Sequence, residues 1–219
     1  MQNNKTITVI LADDHMIIRD GLRALLGRQP DMEVVAEADN GRTALKHVKE
    51  LSPDVVIMDI GMRELNGIDA TRQIVKISPG IKVLALSMYS DKRFVKEMLK
   101  AGASGYMLKD SAFNELIDAI RVIVDNKIYI SPGVAGVVMD DYLGNSPERD
   151  GSIRALLTSR ELEVLQLMAE GKSTKQIALS LNLSTKTIES HRNKVMQKID
   201  VSNIADLTKY AIREGIISL

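Results

Sequence analysis

The sequence predicts two domains: a doubly wound α/β domain built on a five-stranded parallel sheet, then a small all-α domain carrying a helix-turn-helix. Three observations predict this. Residues 7–126 alternate short β-branched apolar runs with longer amphipathic stretches, the signature of a sheet with crossover helices on both faces. Residues 127–152 then lose that pattern as Pro132, Gly133, Gly136, Gly144, Pro147 and Gly151 accumulate. Residues 153–219 read as helix throughout, with four legible N-caps.

Taken in order, the strands are expected at Ile7–Ala12, Glu33–Glu37, Val55–Met58, Lys82–Ser87 and Gly105–Leu108. The first helix runs from about His15 to Gly27, with Ile18, Leu22, Leu25 and Leu26 at helical spacing on one face. Ser131-Pro132 is a good helix start, so Val134, Val137, Val138 and Met139 can form one short helix before flexibility near Gly144. The domains are therefore expected at 1–126 and 153–219, joined by a linker over 127–152 with its boundary near Asp150. In the tail, Thr158 with Glu161 and Ser173 with Gln176 fit capping boxes, and Ser184 and Ser202 are further caps. Helices follow at about 159–170, 174–181, 185–199 and 203–214, with Gly171 and Gly215 as stops.

Composition narrows the chemistry. With no cysteine, disulfides, thiolate zinc sites and cysteine nucleophiles are excluded. Aromatic residues at 3% with no Trp argue against base-stacking RNA modules. No apolar run approaches the roughly eighteen residues of a membrane helix, and Met1 to Thr8 is polar where a secretory core would sit, so a cytoplasmic location is expected. Net charge is +0, but residues 151–219 carry ten Lys and Arg against seven Asp and Glu, while the rest carry 19 against 22. A basic tail on an acidic body points the tail toward nucleic acid.

In a doubly wound sheet the ligand crevice lies beyond the carboxyl ends of the strands. Asp13 and Asp14 follow the first strand, Asp59 follows the third, Ser87 ends the fourth and Lys109 follows the fifth. Converging carboxylates repel unless a divalent cation and an ammonium offset them, and the all-oxygen donor set suits Mg²⁺. Asp59, alone at the end of a continuous apolar run, is the nucleophile candidate, able to hold a phosphoryl group as an acyl phosphate. Asp13 and Asp14 then hold metal, while Lys109 and the Ser87 hydroxyl meet phosphoryl oxygens. Any single Asp at a strand end is more often a cap or a solvated turn residue; five suitable residues at four strand ends outweigh that reading. His15 is expected to be a solvated helix-start residue without a chemical role.

Leu11-Ala-Asp-Asp-His15, Met58-Asp59, Ser87 and Leu108-Lys109 resemble the receiver domain of two-component response regulators, a flavodoxin-like fold. The resemblance implies phosphorylation of Asp59 by a histidine kinase, slow self-dephosphorylation at most, Mg²⁺ binding shared by Asp13, Asp14, Asp59 and the Gly61 carbonyl, and a switch role for Tyr106. In that switch a phosphoryl group draws Ser87 inward and the Tyr106 ring fills the space left. Taken alone, Tyr106 reads as a half-exposed residue on an edge strand. One departure stands out: receivers commonly carry Pro where this chain has Arg63.

In the tail, Asn182-Leu-Ser184 is a turn of helix-turn-helix length. On the helix after it, Ile188, His191, Val195 and Ile199 form one stripe, and Lys186, Ser190, Asn193, Lys194 and Gln197 fall opposite, with groups that suit base edges and phosphates. Leu157-Thr158, Arg160-Glu161, Glu163-Val164-Leu165, Glu170-Gly171, Ile177-Ala178, Leu183-Ser184, Thr187-Ile188, His191 and Lys198 resemble the LuxR-type helix-turn-helix. Together the halves resemble a NarL/FixJ-type response regulator. That resemblance implies Glu189, Ser190 and Asn193 near base edges of double-stranded DNA, Lys186, Thr187, Arg192 and Lys194 toward its backbone, and a homodimer on DNA using the last helix. Two rivals are a magnesium-dependent phosphotransferase using Asp59 and a receiver whose tail binds protein; the enzyme would need a Gly-rich phosphate loop or a second acid after Asp59, and neither is present.

Overall fold

A computed structural model of the chain describes residues 6–88, 91–142 and 153–217. The chain divides into two compact units, Met1–Ser146 and Pro147–Leu219. The linker residues Gly144, Pro147 and Gly151 and the boundary expected near Asp150 lie outside the described residues.

The first unit alternates strand and helix: β1 (Ile7–Ala12), α1 (Met16–Leu26), β2 (Met32–Ala38), α2 (Gly41–Leu51), β3 (Val55–Asp59), α3 (Gly67–Ile77), β4 (Lys82–Ser87), α4 (Lys92–Lys100), β5 (Gly105–Leu108), α5 (Ala112–Val124), β6 (Tyr129–Ile130) and α6 (Pro132–Tyr142). The sheet is parallel, in the order β2-β1-β3-β4-β5-β6. It has six strands where five were expected. The extra strand is only two residues long, too short to show an alternation, and pairs Gly105 with Tyr129 and Tyr106 with Ile130.

Successive strand residues face opposite sides, so each strand feeds two cores. Val9, Leu11, Val55, Ile57, Leu84, Leu86 and Met107 pack with Leu22 and Leu26 of α1 and Leu116, Ile120 and Ile123 of α5. Ile10, Ala12, Val56, Met58, Val83, Ala85 and Tyr106 pack on the other side with residues of α2, α3, α4 and α6. Tyr106 is thus fully buried, at 0% exposure, on an interior strand and not half-exposed on an edge. The unforeseen sixth strand makes the difference.

The second unit is helical: α7 (Ile153–Leu156), α8 (Ser159–Ala169), α9 (Thr174–Leu181), α10 (Thr185–Lys198) and α11 (Ile204–Arg213). Both capping boxes are present, and the Ser184 hydroxyl caps α10. Ser202 does not cap α11. Asn203 does, its Oδ1 accepting from Asp206 N–H at 2.9 Å while its amide donates to Asp206 Oδ2 at 2.7 Å. Asp206 thus answers Asn203 from three residues on, a reciprocal pairing that Ser202 lacks. Gly171 and Gly215 end their helices with φ of +78° and +67°, a conformation that suits glycine.

Candidate functional site

β1 and β3 are neighbours, so their ends deliver Asp13 and Asp59 to one edge of the sheet. Both carboxylates are buried. Lys109, in a 3₁₀ turn directly after β5, is buried too, and its Nζ lies 2.7 Å from Asp13 Oδ2 and 3.0 Å from Asp59 Oδ1. One ammonium thus bridges two carboxylates. Burial and the Asp13 charge push the Asp59 carboxyl up to about 6, with Lys109 opposing them. Burial works against the Lys109 ammonium, yet the Asp59 and Asp13 charges outweigh it and raise its pKa.

Asp14 and His15 complete the cluster, in which Asp13, Asp14, His15 and Asp59 each present a donor atom within 4.8 Å of the others. Asp14 Oδ1 is buried and accepts no hydrogen bond; His15 Nδ1 lies 2.9 Å away without the alignment for one. His15 is exposed at the start of α1, as expected, and in addition its ring nitrogen is 3.1 Å from Asp13 Oδ1 and its backbone N–H donates to the same oxygen at 2.9 Å. Adjacency to two acids was the available signal. Arg19, not singled out in the sequence, fixes the loop by donating from Nη1 to the Asp13 carbonyl at 2.6 Å.

Ser87 is buried at the end of β4, one residue past the position in register with Asp59. Its hydroxyl hydrogen-bonds that of Tyr106, whose pKa burial pushes up to about 12. The ring already fills the interior position that the switch expectation reserved for the phosphorylated state. In the loop after Asp59, Gly61 is exposed and Arg63 points to solvent, whereas Met62 and Leu65 are buried anchors. Gly67 N–H donates to the Ile60 carbonyl at 3.0 Å, and a Cβ on Gly67 would fall 2.0 Å from the Asp59 carbonyl oxygen. The loop is therefore held by Met62, Leu65 and Gly67, without the proline.

In the helical unit, Asn182 at φ +52° turns the chain between α9 and α10. Ile188, Val195 and Ile199 are buried and His191 is half-buried. Lys186, Glu189, Ser190, Asn193, Lys194 and Gln197 are exposed; Thr187 and Arg192 are half-buried, the Thr187 hydroxyl lying 2.8 Å from that of Ser184. Lys198 has a role not expected from its place after the stripe. Its Nζ lies 2.7 Å from Oε2 of the buried Glu161, which also accepts from Thr158 N–H at 2.8 Å. The end of α10 is thereby tied to the cap of α8.

A family model described as the response regulator receiver domain matches residues 9–121, and one described as bacterial regulatory proteins, luxR family, matches 155–211. The chain belongs to the NarL/FixJ-type response regulators. Similar regulators include LiaR of Bacillus subtilis, 39% identical over 97% of this chain and 100% of the relative, and DegU of Brevibacillus brevis, 35% identical over 99% and 98%. Among solved structures, the response regulator RcsB of Salmonella typhimurium is 28% identical with a TM-score of 0.59, covering 94% of this chain and 98% of that one. As a NarL/FixJ-type regulator, the protein is a DNA-binding transcriptional regulator of a two-component system. Among the described residues, no helix is long and apolar enough to cross a membrane.

Proposed function

We propose that Asp59 is the phosphoacceptor of this regulator, supported above all by the Lys109 ammonium that bridges Asp59 and Asp13. A carboxylate oxygen of Asp59 attacks the phosphorus of a phosphohistidine on the partner kinase. The O–P bond forms as the P–N bond breaks, and the electron pair leaves with the imidazole nitrogen. Lys109 offsets charge on the phosphoryl oxygens, and the Ser87 hydroxyl donates to one of them. Hydrolysis of the acyl phosphate by water, releasing inorganic phosphate, resets the protein slowly.

The cluster fits Mg²⁺: its carboxylate donors are hard oxygens, and the buried Asp14 Oδ1 has no hydrogen bond to lose. Asp13, Asp14, Asp59 and the Gly61 carbonyl would hold the ion. When bound, it neutralises charge as the phosphoryl group arrives. Until then Lys109 keeps Asp13 and Asp59 together, so the pocket is assembled in advance.

Tyr106, bonded to Ser87, is the residue through which we read the switch. In the second unit, Glu189, Ser190 and Asn193 face base edges, while Lys186, Thr187, Arg192 and Lys194 face the backbone. The exposure of most of these side chains on one face of α10 supports that assignment. So small a basic surface contacts few phosphates, and a homodimer on a two-fold site supplies the rest of the affinity. Such a protein works in the cytoplasm.

The test is incorporation of phosphate from a small-molecule phosphodonor with Mg²⁺. The parent protein should gain acid-labile, hydroxylamine-sensitive phosphate, and Asp59→Asn should gain none. Equal incorporation in the variant would remove Asp59 from the role.

A further inference from the structure

The helix that follows the sheet, α6, occupies the face of the receiver nearest the Ser87–Tyr106 pair. It packs against α4 and β5. Val134 is fully buried in the cluster that also holds Val95 and Met98 of α4 and Tyr106 of β5, and Val138 packs against that cluster. The chain entering the helix is bonded to Tyr106 itself, Ser131 N–H donating to the Tyr106 carbonyl at 3.0 Å. Gly133 runs so close to β5 that a Cβ there would lie 2.8 Å from Leu108 Cδ1.

This helix is poorly made to stand alone. It spans eleven residues, short of the roughly twelve to fifteen at which even good sequences become marginal in water. Gly133, Gly136, Val134, Val137 and Val138 are weak helix formers. Docking on α4 and β5 therefore sustains its helical form, and undocking melts it. The docked state also carries a cost, because Ser131 Oγ is buried without a protein hydrogen-bond partner.

From this arrangement we infer that α6 is a phosphorylation-sensitive latch, docked and helical in the unphosphorylated receiver and loosened when Asp59 is phosphorylated. The inference rests on the reading of Asp59, Ser87 and Tyr106 above. A phosphoryl group on Asp59 recruits the Ser87 hydroxyl and takes a hydrogen-bond partner from a Tyr106 hydroxyl buried inside. The Tyr106 hydroxyl, which accepted from Ser87, must then reorient and donate instead, and the apolar cluster that seats Val134 repacks as the ring adjusts. Only ten residues, 143–152, separate α6 from α7, so melting α6 lengthens the tether to the DNA-binding unit.

Coupling of this kind is reciprocal: whatever undocks α6 must favour the phosphorylated form by the same factor. Deuterium exchange read by mass spectrometry on the full-length protein, with acetyl phosphate and Mg²⁺, tests it. Intact mass reports phosphate uptake independently. On uptake, amide protection over 132–142 should fall by about tenfold or more while that of β1 and β3 holds. Val134→Ala should lower α6 protection without phosphodonor and raise the phosphorylated fraction reached at a given acetyl phosphate concentration. Tyr106→Phe, lacking the hydroxyl, should keep α6 protected once phosphorylated. Uptake at Asp59 with α6 protection unchanged overturns the latch and leaves the acceptor reading intact. Absence of uptake in the parent overturns both, and equal loosening in the Phe variant overturns the Ser87–Tyr106 route.

Discussion

Replacing Asp59 by Asn should make the first unit more stable at neutral pH, although it abolishes phosphorylation. Asp59 ionises near 3.8 when exposed and near 6 in the folded protein, because burial and then the Asp13 charge oppose its ionisation. Between those values the folded chain holds a proton that the unfolded chain has released. The stabilisation this gives is full below about pH 4 and is lost as pH rises through 6. Each tenfold in proton affinity is worth about 1.4 kcal/mol, so ionised Asp59 costs the fold roughly 3 kcal/mol above pH 7. An Asn side chain removes that cost and still offers an oxygen to Lys109. In a chelator at pH 7.5 the variant should therefore melt higher by roughly 10 °C, and the gap should close as pH falls from 7 toward 4. Mg²⁺ should raise the parent more than the variant, because the parent gains by binding it. Melting curves by circular dichroism across that range are sufficient. A variant that melts at or below the parent at pH 7.5 without metal would refute the electrostatic account of the pocket.

Four further outcomes are expected. Ser87→Ala should still gain phosphate at Asp59 but show little rise in DNA affinity on phosphorylation, read by gel shift against the phosphorylated parent; a full rise would take Ser87 out of the switch. Asn193→Ala should change the preferred base at one position per half-site, by about 1–3 kcal/mol for a bidentate contact. Lys186→Ala should instead weaken all duplexes alike and reduce the salt slope by about one, and selection from random duplexes with salt titration separates the two. Glu161→Gln should destabilise the second unit less than Glu161→Ala by about 1 kcal/mol, since Gln keeps the capping box and loses only the charge facing Lys198; exchange protection of α8 measures the difference, and equal losses would mean the cap contributes nothing.

Much of this was readable because each signal is local. The bounds of β1, β4 and β5 follow from apolar runs broken by polar residues, and Thr158 with Glu161 announces the start of α8 four residues at a time. The acidic cluster followed from topology, since the ends of neighbouring strands meet whatever the loops do. What escaped is contact between distant segments. Two residues at Tyr129–Ile130 carry no periodicity, so neither the sixth strand nor the burial of Tyr106 beneath it could be seen. Ser131-Pro132 marked a helix start, but nothing nearby in sequence says that Val134 inserts beside Val95 and Met98. Likewise the grip of Glu161 on Lys198 spans 37 positions, beyond any window that reads spacing.

The short strand β6 has a practical consequence. The receiver family model ends at residue 121, which invites cutting the chain there to study the acceptor half alone. Such a fragment would lose Tyr129 and Ile130 and bare the outer rim of β5, where Tyr129 N–H now donates to Ser104 and Ser131 N–H to Tyr106. An open strand edge with the Ser104 and Tyr106 carbonyls unpaired is a template on which identical molecules stack edge to edge. A fragment carried through residue 142 keeps that rim closed, and dilute-solution scattering of the two lengths would show the shorter one accumulating as aggregates.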